Sequence, residues 1–128
     1  MKTTIARSLI LFSFLVWDAP AEAQASHVSA ITAAEAKEHL GEKRTVCGKV
    51  ASSHYADDIR GKPTFMDLDS PFPDQIFTIV IRGADRAKFG EPESTYRGKS
   101  VCVTGKLKEL LGVPVVIASE PAQIKLKD

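Results

Sequence analysis

The sequence has 128 residues, of which 44% are hydrophobic and 26% are charged, with Lys+Arg 17 against Asp+Glu 16. This balance excludes an intrinsically disordered chain, which has fewer apolar residues and a larger net charge. The formal net charge of +1 also lacks the basic excess that many nucleic-acid-binding proteins carry. The composition predicts one globular domain.

The N-terminus has the three parts of a secretory signal peptide. Lys2 and Arg7 precede the uncharged run Ser8–Trp17, and a small-residue site at Ala23–Ala25 follows. A membrane-spanning helix needs about 20 apolar residues, so the run is too short to span a bilayer. This layout is typical of a cleavable export signal. We expect cleavage after Ala25, a periplasmic or secreted location and no membrane span.

Both cysteines, Cys47 and Cys102, lie after the predicted cleavage site. An even number of cysteines in an oxidising compartment favours a disulfide, and two separate buried thiols are the alternative. Closing the loop between them would stabilise the fold by about 4 kcal/mol on the chain-entropy model.

Two short helices and five strands are predicted along the chain. The capping-box spacing of Thr32 and Glu35, followed by the helix formers Ala33–Leu40, predicts a helix that ends at Gly41. A second helix is expected at Ala84–Phe89. Alternating or continuous apolar residues predict strands. They are Thr45–Ser53, Pro63–Leu68, Ile76–Ile81, Ser100–Leu107 and Val113–Ala118.

The order of three strands, a short helix and two strands is that of the OB-fold, a five-stranded Greek-key barrel. The first and fourth strands are neighbours in this barrel, and they carry Cys47 and Cys102 on the face opposite the apolar stripe. Adjacent strands and a shared face are what a bridge requires. We expect an all-β domain at 45–128, a lead-in with a short helix at 26–44 and the signal peptide at 1–25.

Fragments along the whole domain carry a family resemblance. They are Ile31–Lys37, His39–Gly41, Val46–Val50, Pro63–Phe65, Pro71–Thr78, Lys88–Gly90 and Val101–Lys106. They resemble a family of small exported bacterial OB-fold proteins that are labelled nucleic-acid-binding, similar to domains found beside secreted nucleases. The resemblance implies the fold, the compartment and a binding function. The sequence departs from the family at Arg82, where an aromatic is expected, and at Leu110 and Leu111, where polar or aromatic residues are expected.

An OB-fold binds oligonucleotides on the face of its second and third strands, between two loops. Met66 and Leu68 have the period of the core face, which turns Phe65 and Asp67 outward. Phe65 is therefore a candidate for stacking on a base, with cations nearby for the phosphates. The predicted nucleic-acid site comprises Tyr55, Arg60, Lys62, Phe65, Lys106 and Lys108.

A structural interpretation of the same residues stays open. Phe65 could pack under a loop, Tyr55 could cover the mouth of the barrel, and the lysines could be solvated. Four acidic residues also dilute the basic set, which lowers the attraction for phosphates. They are Asp57, Asp58, Asp67 and Glu109.

Metal binding and catalysis have less support. Five aspartates offer oxygen ligands for Ca²⁺, but their spacing matches no EF-hand loop, and holding turns is the favoured role. They are Asp57, Asp58, Asp67, Asp69 and Asp74. The histidines, His27, His39 and His54, form no close pair that suggests zinc.

The sequence has no nucleophile motif, no P-loop and no CxxC pair. We therefore expect a monomeric, non-catalytic binding module without a cofactor. Single-stranded DNA, RNA or a nucleotide is the leading ligand. The alternative is a periplasmic protein or glycan partner, with Leu110 and Leu111 at a hairpin tip as a contact point.

Overall fold

The computed structural model of the protein describes residues 29–127. The predicted signal peptide and its cleavage site lie outside the described residues. The strands, in chain order, are β1 (Ile31–Thr32), β2 (Lys43–Tyr55), β3 (Thr64–Leu68), β4 (Thr78–Ile81), β5 (Ser100–Lys106), β6 (Lys108–Leu110), β7 (Val113–Ile117) and β8 (Ile124–Leu126). The helices are α1 (Gly83–Phe89) and α2 (Pro92–Thr95), with 3₁₀ turns at Ala36–Glu38 and Pro121–Gln123.

One sheet contains all eight strands in the order β6-β7-β4-β3-β2-β5-β8, and β1 pairs with β2 in parallel. The long strand β2 is the centre of this sheet. Its first half pairs with β5, and its second half pairs with β3. The β4–β7 pair is parallel, whereas the other pairs along the path are antiparallel. The fold is all-β and OB-like.

The predicted five-stranded Greek-key barrel is confirmed only as an all-β, OB-like fold, because the sheet is open and has eight strands. Closure would need pairing between β5 and β7. On the sides away from β2 and β4, β5 pairs with β8 at Val101–Val103 and β7 pairs with β6 at Val113–Val115, and β5 and β7 do not pair with each other within residues 29–127. The three strands that were not predicted, β1, β6 and β8, have only two or three residues each. Such segments are too short to show a period of two.

The predicted N-terminal helix is also wrong in extent. Only Ala36–Glu38 is helical, as a 3₁₀ turn. The capping box that predicted it is present: the Glu35 N–H donates to Thr32 Oγ1 at 3.2 Å, and the Thr32 N–H donates to Glu35 Oε1 at 3.1 Å. Ile31 and Thr32 pair with β2, so the lead-in is part of the sheet.

The core lies inside the curved sheet and follows the predicted periods. Val46, Val50, Met66 and Leu68 are at most 1% exposed. Phe77 is fully buried, although it stands just before β4 and not in it. Its backbone carbonyl accepts a bond from the Leu68 N–H at 2.9 Å, which aligns the end of β3 with the start of β4.

The predicted disulfide joins Cys47 of β2 to Cys102 of β5. The two residues are directly opposite each other in the β2–β5 register, and their Cα atoms are 4.0 Å apart. Opposed residues in an antiparallel pair have side chains on the same face. The bond therefore closes a sequence separation of 55 residues on the outer surface of the sheet.

Candidate functional site

A groove of about 730 Å³ lies on the outer face of the sheet across β2, β3, β4 and β7. The loop after β2 and the loop between β3 and β4 form two of its borders, and the β6–β7 hairpin forms another. Its lining is predominantly apolar. The apolar lining residues are Ala56, Ile59, Phe65, Phe72, Leu110, Leu111, Val113 and Val115.

Phe65 is half-buried in this groove, as the alternation along β3 predicted. It is directly opposite His54 of β2, which also lines the groove. A bulge between Val50 and Ser52 lets β2 present Ser52 and His54 on this outer side. An extra residue in one strand shifts the alternation of its side chains. The aromatic ring of Phe65 and the His54 imidazole therefore share the floor of the groove.

Asp67 is 5% exposed and lies on the same floor. Its carboxylate accepts hydrogen bonds from the hydroxyls of Ser52 and Thr78, each at 2.7 Å. A buried carboxylate is costly unless such donors satisfy it. The two hydroxyls come from the strands on either side of β3, so this cluster holds three strands in register beneath the groove.

Ser52 also connects the floor to the border. Its Oγ accepts a hydrogen bond from the Phe72 N–H at 3.0 Å while its hydroxyl donates to Asp67. Phe72 is 70% exposed. The network therefore holds an exposed aromatic ring at the edge of the groove, on the loop between β3 and β4.

The β6–β7 hairpin turns through Leu111 and Gly112, because Leu110 pairs with Val113. Both turn residues have positive φ, 51° for Leu111 and 80° for Gly112. Two-residue hairpins with this geometry strongly prefer Asn, Asp or Gly at the first position. Leu111 is 96% exposed, so its side chain gains no burial in the chain itself to offset the strained backbone.

The predicted site residues are not all brought together. Phe65 lies within the groove, and Arg60 and Lys62 are exposed on the loop that contributes Ile59 to it. Lys108 is opposite Val115, a lining residue, so its side chain starts from the groove side of the hairpin.

Tyr55 and Lys106 lie elsewhere. The guanidinium of Arg86 stands over the Tyr55 ring, 3.8 Å from its centroid, so a cation already covers one face of this ring. Lys106 is opposite Lys43 in the β2–β5 pair, away from the residues that line the groove.

The groove has no Lys or Arg among its lining residues, whereas Asp58 and Asp67 are both among them. Its electrostatic character is therefore acidic, with cations only at its borders. Sequence patterns did not predict that Phe72, Ile59 and the hairpin leucines Leu110 and Leu111 lie on one surface. Their common position depends on which loops fold over the sheet, and the sequence offers no local signal for that.

The five aspartates that were considered as metal ligands do not form one cluster among the described residues. Asp69 Oδ1 accepts a bond from the Lys49 N–H at 2.9 Å, which is a backbone-holding role. No group of three or more His, Cys, Asp or Glu side chains within residues 29–127 is arranged to hold a metal ion. In the same range, no helix is both long and apolar enough to cross a membrane.

Comparisons with known proteins show likeness in structure only. No family model matches the sequence, and no curated protein matches it. Among solved structures, asparaginyl-tRNA synthetase from Pyrococcus horikoshii is similar, with a TM-score of 0.51 and 18% identity. The match covers 78% of this chain and 23% of the synthetase chain.

The OBody AM1L10, solved bound to hen egg-white lysozyme, is also similar, with a TM-score of 0.49 and 16% identity. This match covers 71% of this chain and 84% of the OBody. The likeness to the synthetase supports the OB-like fold, and this chain spans less than a quarter of that protein.

Proposed function

We propose that this protein is an exported, non-catalytic binding module that takes single-stranded nucleic acid, or a nucleotide, in the groove. The observation that carries the proposal is the position of Phe65. It lies on the outer face of β3, between the loop after β2 and the β6–β7 hairpin. This is the face, between two loops, on which OB-folds bind oligonucleotides.

The chemistry of the groove suits bases better than phosphates. Phe65 and the exposed Phe72 offer rings on which bases can stack. Phosphates would be held only at the borders, by Arg60, Lys62 and Lys108. Three phosphate contacts to a single strand give a salt dependence of about −2 in log K against log salt. Binding should therefore weaken with salt, but only moderately.

Two further observations support parts of the proposal. A structural disulfide is characteristic of oxidising compartments, which agrees with the export signal predicted from the sequence. A fold shared with a tRNA synthetase is compatible with nucleic-acid binding. A shared fold does not establish a shared function, so the groove carries the argument.

Fluorescence polarisation with labelled single-stranded DNA and RNA, at low and physiological salt, tests the proposal. We expect micromolar or tighter binding. Each lost base stack should weaken it by about 1 to 3 kcal/mol, so Phe65→Ala should reduce affinity at least about fivefold. Lys62→Ala should mainly reduce the salt dependence.

Phe72→Ala should also weaken binding, and because this side chain is largely exposed, its removal should not disturb folding. It therefore separates a loss of stacking from a loss of folded protein. Leu126→Ala is the matched control, since Leu126 is 56% exposed and lies outside the groove. Absence of binding at low salt, or equal binding by all these variants, would contradict the nucleic-acid function.

A protein partner is the second candidate, and Leu111 favours it. The exposed leucine, together with Leu110 and Phe72, makes an apolar border of the kind that marks interaction sites when it is contiguous. Cross-linking in exported extracts should then capture a protein with the native chain and with Leu126→Asp, but not with Leu111→Asp. Equal capture by both variants would count against this candidate.

A further inference from the structure

A second surface of the molecule carries unpaired positive charge. Lys43 and Lys49 of β2, Lys106 of β5 and Lys125 of β8 are all exposed. Lys43 is opposite Lys106, and Lys125 is opposite Cys102. The register therefore places the four side chains on one face of the sheet, around the disulfide. We call these four residues the lysine face.

The strand residues that share the lysine face are uncharged, and one carboxylate, that of Asp69, lines the same pocket as Cys47, Lys49 and Ser100. Alternation along β2 and β5 places Thr45, Cys47, Ser100, Cys102 and Thr104 on the same side as the lysines, and none of these is acidic. In the part of the chain that the structure describes, no salt bridge includes any of the four lysines. Like charges directly opposite each other, as at Lys43 and Lys106, destabilise a sheet.

The shape of the lysine face indicates what it can recognise. Its strand residues include no aromatic side chain, so it offers nothing on which a base could stack. From Lys43 to Lys49 the face extends about 20 Å along β2, at about 3.3 Å per residue. An extended row of cations without base-reading groups matches a repeating anion.

The lysine face and the groove are connected by the same strand. Lys49 lies about 10 Å along β2 from Ser52, which lines the groove. Ala51 between them is exposed. A strand of nucleic acid leaving the floor of the groove along β2 would therefore meet Lys49 first.

We propose that the lysine face binds the phosphate backbone of the same nucleic-acid strand whose bases occupy the groove. This inference rests on the proposed function and extends it. The groove supplies stacking with few cations, and the lysine face supplies cations without stacking. The ligand is thus a strand longer than the groove alone can hold, and its affinity increases with length.

Oligothymidines of two lengths test this inference with the purified protein. One of about 5 nucleotides is matched to the groove, and one of about 20 nucleotides reaches further. The double variant Lys43→Gln/Lys125→Gln removes two charges from the lysine face. The control Lys37→Gln/Lys88→Gln removes two charges elsewhere, from the 3₁₀ turn and from α1.

We expect the long oligonucleotide to bind the native protein more tightly than the short one. The lysine-face variant should weaken only the long one, by about fivefold at low salt, and should reduce its salt slope by about 1.4. The control variant should leave this length dependence intact. Phe65→Ala should weaken binding of both lengths.

The failures are distinguishable. If the short oligonucleotide binds but the long one binds no tighter, or if both double variants act alike, the lysine face does not bind the strand and the groove function stands. If neither length binds, both proposals fall. If binding of the long one depends on the lysines but not on Phe65, the lysine face binds a strand that does not enter the groove, and both the groove function and its extension to the lysine face fall. If the protein binds anionic phospholipid vesicles and its binding of oligonucleotides does not depend on their length, the lysine-face assignment is overturned in favour of lipid headgroups.

Discussion

The two halves of the sheet present different outer surfaces. In the half formed by β1, β2, β5 and β8, seven consecutive residue pairs join β2 to β5 and a disulfide crosses them. In the half formed by β3, β4, β6 and β7, the outer surface is an apolar groove bordered by loops. We call these the disulfide half and the groove half.

Strained backbone is present in three loops that follow strands. The non-glycine residues with positive φ among those described are Lys62, Asp69 and Leu111, at 44°, 67° and 51°. They follow β2, β3 and β6, respectively. Strained backbone is typical of ligand sites and persists where the surrounding structure holds it in place. Of the three, Leu111 lines the groove, so the groove half combines an apolar outer surface with a strained hairpin turn, whereas the disulfide half is held by a covalent bond.

Removing the disulfide should have the largest effect on stability. In Cys47→Ala/Cys102→Ala, the unfolded chain regains the freedom of a long loop, and the free energy of unfolding should fall by about 4 kcal/mol. Denaturation by urea measures it. A loss below about 1 kcal/mol would show that the pairing between β2 and β5 suffices without the bond, and that the disulfide does not distinguish the stability of the two halves.

Asp67→Ala should have the next largest effect, in the groove half. The hydroxyls of Ser52 and Thr78 would lose their acceptor in a buried site, which costs about 2 kcal/mol. The same denaturation experiment measures this loss. Asp74→Ala is the control, since Asp74 is exposed. Equal stability of the two variants would show that the Asp67 cluster does not hold the strands together.

Leu111→Asn should have a smaller effect of opposite sign. Asn tolerates positive φ better than Leu, so the hairpin should become more stable by about 1 kcal/mol. If Leu111 is a contact residue, the same variant should weaken partner binding while it stabilises the fold. Thermal unfolding and cross-linking measure the two effects. A destabilised variant would show that the leucine side chain packs within the fold.

The two-residue alternation of apolar side chains and the expected order of the strands made much of the fold predictable. Alternation placed Met66 in the core and Phe65 outside, and the strand order brought Cys47 opposite Cys102. These features depend on local pattern and on one well-known topology.

The placement of Tyr55 and Lys106 was beyond the sequence for a physical reason. The bulge after Val50 changes which side of β2 the later residues face, and β2 extends to Tyr55 because β3 pairs with it. Alternation shows that the Lys106 side chain faces outward, but it does not show whether Lys106 lies in the disulfide half or in the groove half. The placement of Tyr55 and that of Lys106 depend on how far the strands pair and on where the sheet edges lie. These are tertiary features that a local sequence pattern does not encode.

The smallest predicted effect concerns Glu35, at the edge of the disulfide half. Hydrogen bonds from the Thr32 backbone N–H and hydroxyl lower the pKa of the Glu35 carboxyl below its ordinary value of 4.5. A lowered folded-state pKa contributes stability above the unfolded value, and this contribution is lost as the pH falls through the folded pKa.

Glu35→Gln should therefore be slightly less stable than the native protein at pH 7, and the difference should disappear well below pH 4.5, where the native carboxyl is also neutral. Urea denaturation at the two pH values measures it. Glu38→Gln is the control, because no side-chain hydrogen bond to Glu38 is present within residues 29–127. A difference for Glu35→Gln that stays constant with pH would show that the ionised carboxylate is not what stabilises the turn after β1. The capping box would then act through its geometry alone.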